Sequence, residues 1–130
     1  MSKSKEDTIA FRLNKSAEDL QVAQTLIEAR IWSAAVNRLY YSAFHTVSAL
    51  MLQRNVRIKT HTGAKAMFEL HVIKSGEADA KWSKFYTRLF ENRNDSDYED
   101  FAVFTADDVL PLLPQTQESI AAINRLITQN

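Results

Sequence analysis

The 130-residue sequence contains no cysteine and only two glycines and two prolines. Without a thiol, disulfides, cysteine-ligated zinc and thiol catalysis are excluded. Two isolated glycines cannot build a phosphate-cradling loop. Strand-rich chains need turn residues at every reversal, so the scarcity of glycine and proline points to long helices. Net charge is also missing, because 16 acids balance 16 lysines and arginines. No global field draws in nucleic acid, and any such binding must rest on a local patch. No apolar run reaches the ~18 residues of a membrane span. The opening MSKSKEDTIA has charge but no apolar stretch behind it, unlike a signal peptide. The default compartment is therefore cytoplasmic.

What remains is the composition of a soluble globular protein, 45% hydrophobic and 25% charged. The length suits a single domain over residues 1–130 with its own core. Apolar periodicity predicts about five helical segments and no convincing strand. The first runs from about Asp7 to Ala29, with Ile9, Leu13, Ala17, Leu20, Ala23 and Ile27 on one face. Ser33 is the expected N-cap of the second, which extends to about Asn55. Its stripe of Val36, Tyr40, Ala43, Phe44, Val47, Leu50 and Met51 is joined by Leu39, Ala49 and Leu52 on the opposite side. A helix this apolar belongs in the middle of a bundle, under a second subunit, or both.

A third helix is expected from Thr62 to Lys74 with Gly76 as its stop, and a fourth from Asp79 to Glu91. The stretch FENRNDSDYEDF, residues 90–101, then reads as an acidic loop. Thr105 and Asp108 form a capping box for a last helix, Ala106 to Thr128, with a kink or break expected at Pro111 and Pro114. The fold class is all-α, an up-and-down helical bundle.

Candidate chemistry follows from the polar residues on this frame. His45, His61 and His71 do not fall into a zinc-ligand spacing, and DSDYED lacks the glycine and terminal glutamate of a calcium loop, so no metal site is expected. No serine sits in a nucleophile elbow, and no cofactor is called for. Two constellations stand out. Asn37, Arg38, Tyr41 and His45 share a face of the second helix, where Arg38 could bind a phosphate and His45 move a proton. Equally, Arg38 could pair with an acid on a neighbouring helix and His45 support a packing face. Arg93-Asn94 with Asp97-Tyr98 is the other. Arginine grips phosphate bidentately and asparagine holds it in register. The structural alternative ties Arg93 to Asp97 and uses Tyr98 to plug the end of the core. A basic run of Arg54, Arg57, Lys59, His61 and Lys65, with Thr60 and Thr62, could meet phosphates or form a solvated loop.

The run AAVNRLYYSAFHTVSALM, then KTHTGAKAMF, then RNDSDY resembles the HEPN domain family, in its branch of small stand-alone bacterial and archaeal proteins. Arg38, Tyr40, Tyr41, Phe44 and His45 match the first motif. Lys59, Thr60, His61, Gly63 and Phe68 match the second, and Arg93, Asp97 and Tyr98 the third. The resemblance spans roughly residues 8–128 and implies an up-and-down bundle that forms a homodimer. It further implies a metal-independent endoribonuclease, or a toxin neutralised by a partner of the minimal nucleotidyltransferase family. The family's catalytic motif is arginine, a polar residue, and a histidine a few positions on. Arg93 and Asn94 supply the front half as candidate catalytic residues, and Asp95 to Asp100 contain no histidine. Tyr98, titrating near ~10, is a poor substitute base at neutral pH.

The expected function is thus a dimeric module with a degenerate catalytic motif that binds a nucleotide, RNA or a nucleotidyltransferase. Asp97, Tyr98, Lys59, Thr60, His61, Arg38 and His45 are its candidate binding residues. The alternatives are an endoribonuclease toxin in which His45 or His61 supplies the missing proton transfer, and a structural subunit whose acidic stretch docks a basic partner.

Overall fold

A computed structural model describes residues 4–129, and every regular element among them is helical. Helix α1 spans Lys5–Glu28 and starts in a reciprocal cap. The Asp7 amide donates to Ser4 Oγ at 3.0 Å, and the Ser4 amide donates to the Asp7 carboxylate at 3.4 Å. Helix α2 spans Trp32–Gln53. Its N-cap is Ile31, with no side-chain cap, and not the expected Ser33. Ser33 lies inside the first turn, where its hydroxyl instead meets the hydroxyl of Ser96.

Helix α3, His61–Phe68, begins one residue before the sequence expectation because Thr60 is its cap. It widens into a π-helical turn at Glu69–Ile73 and stops at Gly76, whose φ of 86° only glycine adopts freely. Helix α4 spans Ala80–Tyr98, capped by Asp79. It continues through most of the stretch expected to be an acidic loop. The last expected helix is divided into α5, Ala106–Val109, and α6, Leu112–Thr128. The division falls at Pro111, the N-cap of α6, and the Thr105–Asp108 capping box forms as expected. Pro114 is tolerated in the first turn of α6, where a missing N–H has no intrahelical partner to lose.

The scarcity of glycine has a local explanation. Arg30 and Asn55, both at φ 61°, close α1 and α2 in the left-handed conformation that glycine usually supplies. The Ile31 amide reaches back to the Leu26 carbonyl at 2.8 Å, and the Val56 amide to the Met51 carbonyl at 2.8 Å.

Side-chain pairs fix the helix directions. Lys5 at the start of α1 bonds Asn55 just beyond the end of α2, so these helices are antiparallel. Asn37 near the start of α2 bonds Asp97 near the end of α4, and that pair is antiparallel as well. Gln53 and Ile127 meet at the C-terminal ends of α2 and α6, which run parallel. Helix α2 is the central element: Leu39, Tyr40, Ala43, Val47, Leu50 and Met51 are fully buried within one chain. Its apolar circumference is explained by α1, α4 and α6 packing around it. Between α1 and α2, Ser16, Ser42 and Thr46 form a buried hydroxyl knot, with Ser16 Oγ 2.6 Å from Thr46 Oγ1 and 2.7 Å from the Ser42 carbonyl. Small side chains there let the two backbones approach while each hydroxyl keeps a partner.

Candidate functional site

Arg93 sits in the penultimate turn of α4 and is buried, at 8% exposure. A charge in that position must be neutralised and hydrogen-bonded. Its Nη2 donates to Tyr41 Oη at 3.0 Å and its Nη1 to Asn94 Oδ1 at 2.9 Å. Nε lies 3.3 Å from Asp97 Oδ2, an ion pair whose angle is too poor for a hydrogen bond. The rings of Tyr40, Tyr41 and Tyr98 surround the guanidinium at 5.4 to 5.5 Å. Burial works against the charge, but the Tyr41 hydrogen bond, aided by Tyr98 and Asp97, more than offsets it and raises the Arg93 pKa. The expected tie between Arg93 and Asp97 is therefore present. Tyr98 does not plug the core, because it is 71% exposed and shields only one side of the guanidinium.

The two sequence constellations form one network. Asp97 accepts from Asn37 Nδ2 at 3.1 and 3.2 Å, and Asn37 Oδ1 accepts from Arg38 Nε at 3.1 Å. Arg38 Nη1 in turn donates to Asp19 at 2.9 Å, and His45 Nε2 lies 3.4 Å from the other oxygen of Asp19. Arg38 thus pairs with an acid of a neighbouring helix, as its structural alternative has it, and His45 faces the same carboxylate in addition to packing against Phe44. Burial lowers the His45 pKa against the opposing pull of Asp19, with Lys15, Arg38 and Arg12 adding to the lowering.

His61 joins the cluster from a third element. Thr60 Oγ1 accepts from the Gly63 amide at 2.8 Å and fixes the first turn of α3, which carries His61. A Cβ on Gly63 would lie 3.0 Å from that Thr60 hydroxyl, so glycine keeps the cap uncrowded. His61 Nδ1 is 2.8 Å from the hydroxyl of Tyr40, and its ring packs 4.5 Å from Phe44 and 5.6 Å from Tyr41, centroid to centroid. Burial, then the charge of Arg93, lowers its pKa. Lys59 and Thr60 are exposed beside it. The third histidine, His71, is exposed in the π-helical turn, away from this cluster.

The structure thus brings Arg93, Asn94, Asp97, Tyr98, Arg38 and His61 together around Tyr40 and Tyr41, with His45 at the Asp19 end. Asn37 stood in the second-helix constellation and Tyr40 in the first motif, whereas Asp19 was not singled out. Asp19 belongs to a different helix, and no pattern within the second helix could reveal it. Among the described residues no group of three or more histidines or acids could hold a metal ion. No described helix is long and apolar enough to cross a membrane.

A sequence model of the HEPN domain matches residues 9–126. A "UPF0332 protein" of Thermotoga maritima is 32% identical over 95% of this chain and 93% of its own length. Two proteins of Methanocaldococcus jannaschii, named "Putative toxin MJ0142" and "Putative toxin MJ0605", are each 30% identical. The first is covered over 67% of this chain and 59% of its own length, the second over 75% and 73%. The helical bundle, the three motifs in order and the span of the match agree: the chain belongs to the HEPN domain family.

Proposed function

We propose that this chain is a dimeric HEPN module that binds RNA or a nucleotide without efficient cleavage, its catalytic motif reduced to Arg93 and Asn94. The state of Arg93 carries this reading. Its donors are engaged by Tyr41 and Asn94, its charge is balanced by Asp97, and the Asn94 carbonyl is taken up by the same guanidinium. A phosphate could claim Arg93 only by displacing Asp97, and Asp95, Glu99 and Asp100 would repel it. No histidine follows Asn94 in the helix to transfer a proton. In this reading Arg38, Asp97, Tyr98, Lys59, Thr60, His61 and His45 organise the binding cleft. Val22, Ile31, Tyr98, Phe101 and Val103 are exposed apolar residues suited to the homodimer contact or to a minimal nucleotidyltransferase partner. The toxin names of two relatives favour such a paired arrangement.

The test is a metal-free RNA cleavage assay in chelator, run beside an RNA-binding measurement. The expected result is bound, intact RNA. Cleavage by the wild type that disappears in Arg93→Ala overturns the inactive reading. Light scattering at micromolar concentration that finds only monomer overturns the dimer.

A second reading, a metal-independent endoribonuclease, is favoured by one observation. His61 reaches the Arg93 cluster through Tyr40 and offers the imidazole that the α4 motif lacks. Loss of cleavage in both Arg93→Ala and His61→Ala would support it.

A further inference from the structure

Further along the same face of α2, beyond His45, lies a groove of about 670 Å³, formed by α1, the C-terminal half of α2 and the connection to α3. Four cations line it: Arg12 and Lys15 from α1, Arg57 and Lys59 from the connection. None of the described residues lining it is acidic. Elsewhere, Arg38, Arg54 and Arg93 each face a carboxylate, at 2.9, 2.7 and 3.3 Å. Among the described residues, no ion pair forms at these four. In a chain with balanced charge, four unneutralised cations in one concavity are a local field of the kind that guides a polyanion.

The groove also presents flat apolar faces between its charges. Phe11 is 62% exposed beneath the Lys15 ammonium, which stands 5.6 Å from the ring centroid. Phe44 and His61 pack together on the opposite wall. Cations that follow a backbone, interleaved with aromatic faces for bases, are what single-stranded nucleic acid requires. An acidic peptide would use the charges but leave Phe11 without a stacking partner. The pattern was partly legible along the chain, since Thr8, Phe11, Arg12 and Lys15 fall at helical spacing on one stripe of α1.

We propose that this groove is the track for a single-stranded RNA, its phosphates held by Arg12, Lys15, Arg57 and Lys59 and a base stacked on Phe11. His61 lines the track and contacts the hydroxyl of the buried Tyr40, whose ring lies 5.4 Å from the Arg93 guanidinium, so a chain of contacts links the groove to that cluster. The inference rests on the RNA-binding reading above and names the surface that performs it.

The test is fluorescence anisotropy of the full chain with a labelled, mixed-sequence RNA of twelve nucleotides, over a salt series. Four phosphate contacts predict a slope of log K against log salt of about −3 for the wild type. Lys15→Glu with Lys59→Glu is expected to weaken binding by about tenfold or more and to flatten that slope by about half. Lys15→Gln with Lys59→Gln, which removes charge without reversing it, is expected to act in the same direction by a smaller factor. Lys81→Glu with Lys84→Glu, the same charge change on exposed residues at the start of α4, is expected to leave affinity within about twofold. The groove is overturned if wild-type protein binds RNA and the groove variants match it, or if the α4 pair weakens binding as strongly. It is also overturned if a labelled decaglutamate binds more tightly than RNA. Wild type that fails to bind RNA, or that cleaves it in an Arg93-dependent way, instead overturns the underlying reading.

Discussion

The hydroxyl of Tyr40 lies 2.8 Å from Nδ1 of His61 and joins the buried centre of α2 to the first residue of α3. Burial pushes the Tyr40 pKa up to about 12, so its proton is retained across the neutral range. His61 is held neutral by its own burial and by Arg93. With both groups neutral, the contact fits a Tyr40 hydroxyl that donates to Nδ1 of the Nε2–H tautomer of His61.

Removing that donor should release the tautomer. Tyr40→Phe is expected to cost about 1 kcal/mol in urea denaturation, the net value of a single partly buried hydrogen bond. Nitrogen chemical shifts of His61 should move from a single Nε2–H tautomer toward a mixture. An unchanged tautomer would show that something other than Tyr40 holds the ring.

The histidines also set a pH dependence. Both His45 and His61 have folded-state values below the unfolded value of about 6.5. The unfolded chain therefore binds protons first, and the folded state loses stability as pH falls below about 6.5. Stability is fully present above that point. Glu77, lowered by its hydrogen bond to Arg54, adds stability that is present at neutral pH and is lost only in more acidic solution, as pH falls below its usual carboxylate range. Thermal melts at pH 7.5 and 5.5 should show a lower Tm at 5.5, and His45→Gln with His61→Gln should reduce the difference.

Thr60 and Gly63 form a coupled pair. Thr60→Ala removes the N-cap of α3 and is expected to cost about 1 kcal/mol. Alanine is the better helix former by about 1 kcal/mol, yet at position 63 its Cβ would crowd the Thr60 hydroxyl at 3.0 Å. Gly63→Ala alone is therefore expected to bring no gain, whereas in a Thr60→Ala background it should stabilise. A double-mutant cycle by denaturant melts measures this coupling, and additive effects would refute it.

Phe101 is 98% exposed and sits at φ 65°, a conformation that costs a bulky residue about 1 kcal/mol or more. Phe101→Gly should raise the Tm of dilute protein. If this loop forms the dimer contact, the same substitution should weaken association in light scattering. A variant that gains stability and leaves association unchanged removes Phe101 from the interface.

Helicity, the central place of α2 and most helix boundaries were legible in the sequence, because apolar spacing and capping residues act within a few residues of chain. The errors were equally local in origin. Ser33 has the chemistry of a cap but is used by Ser96 from another helix, and the acids of residues 95–100 suggested a loop although α4 continues to Tyr98. Helical continuation there is helped by Arg93 and Asp97 pairing one turn apart and by Asn37 holding Asp97 from α2. The three motifs were also visible as motifs, and the missing histidine could be read directly.

By itself the sequence determined a helical bundle of this family and the presence of arginine and asparagine without a following histidine. Only the tertiary structure decided what those residues face. Asp19 comes from α1 to hold Arg38 and His45, and Tyr41 from α2 to hold Arg93. His61 from α3 lies within reach of the same tyrosines, while Arg12 and Lys15 meet Arg57 and Lys59 across a groove. Such partners are separated by tens of residues, and electrostatic and hydrogen-bond energies depend on distance in space, which local spacing along a helix does not encode.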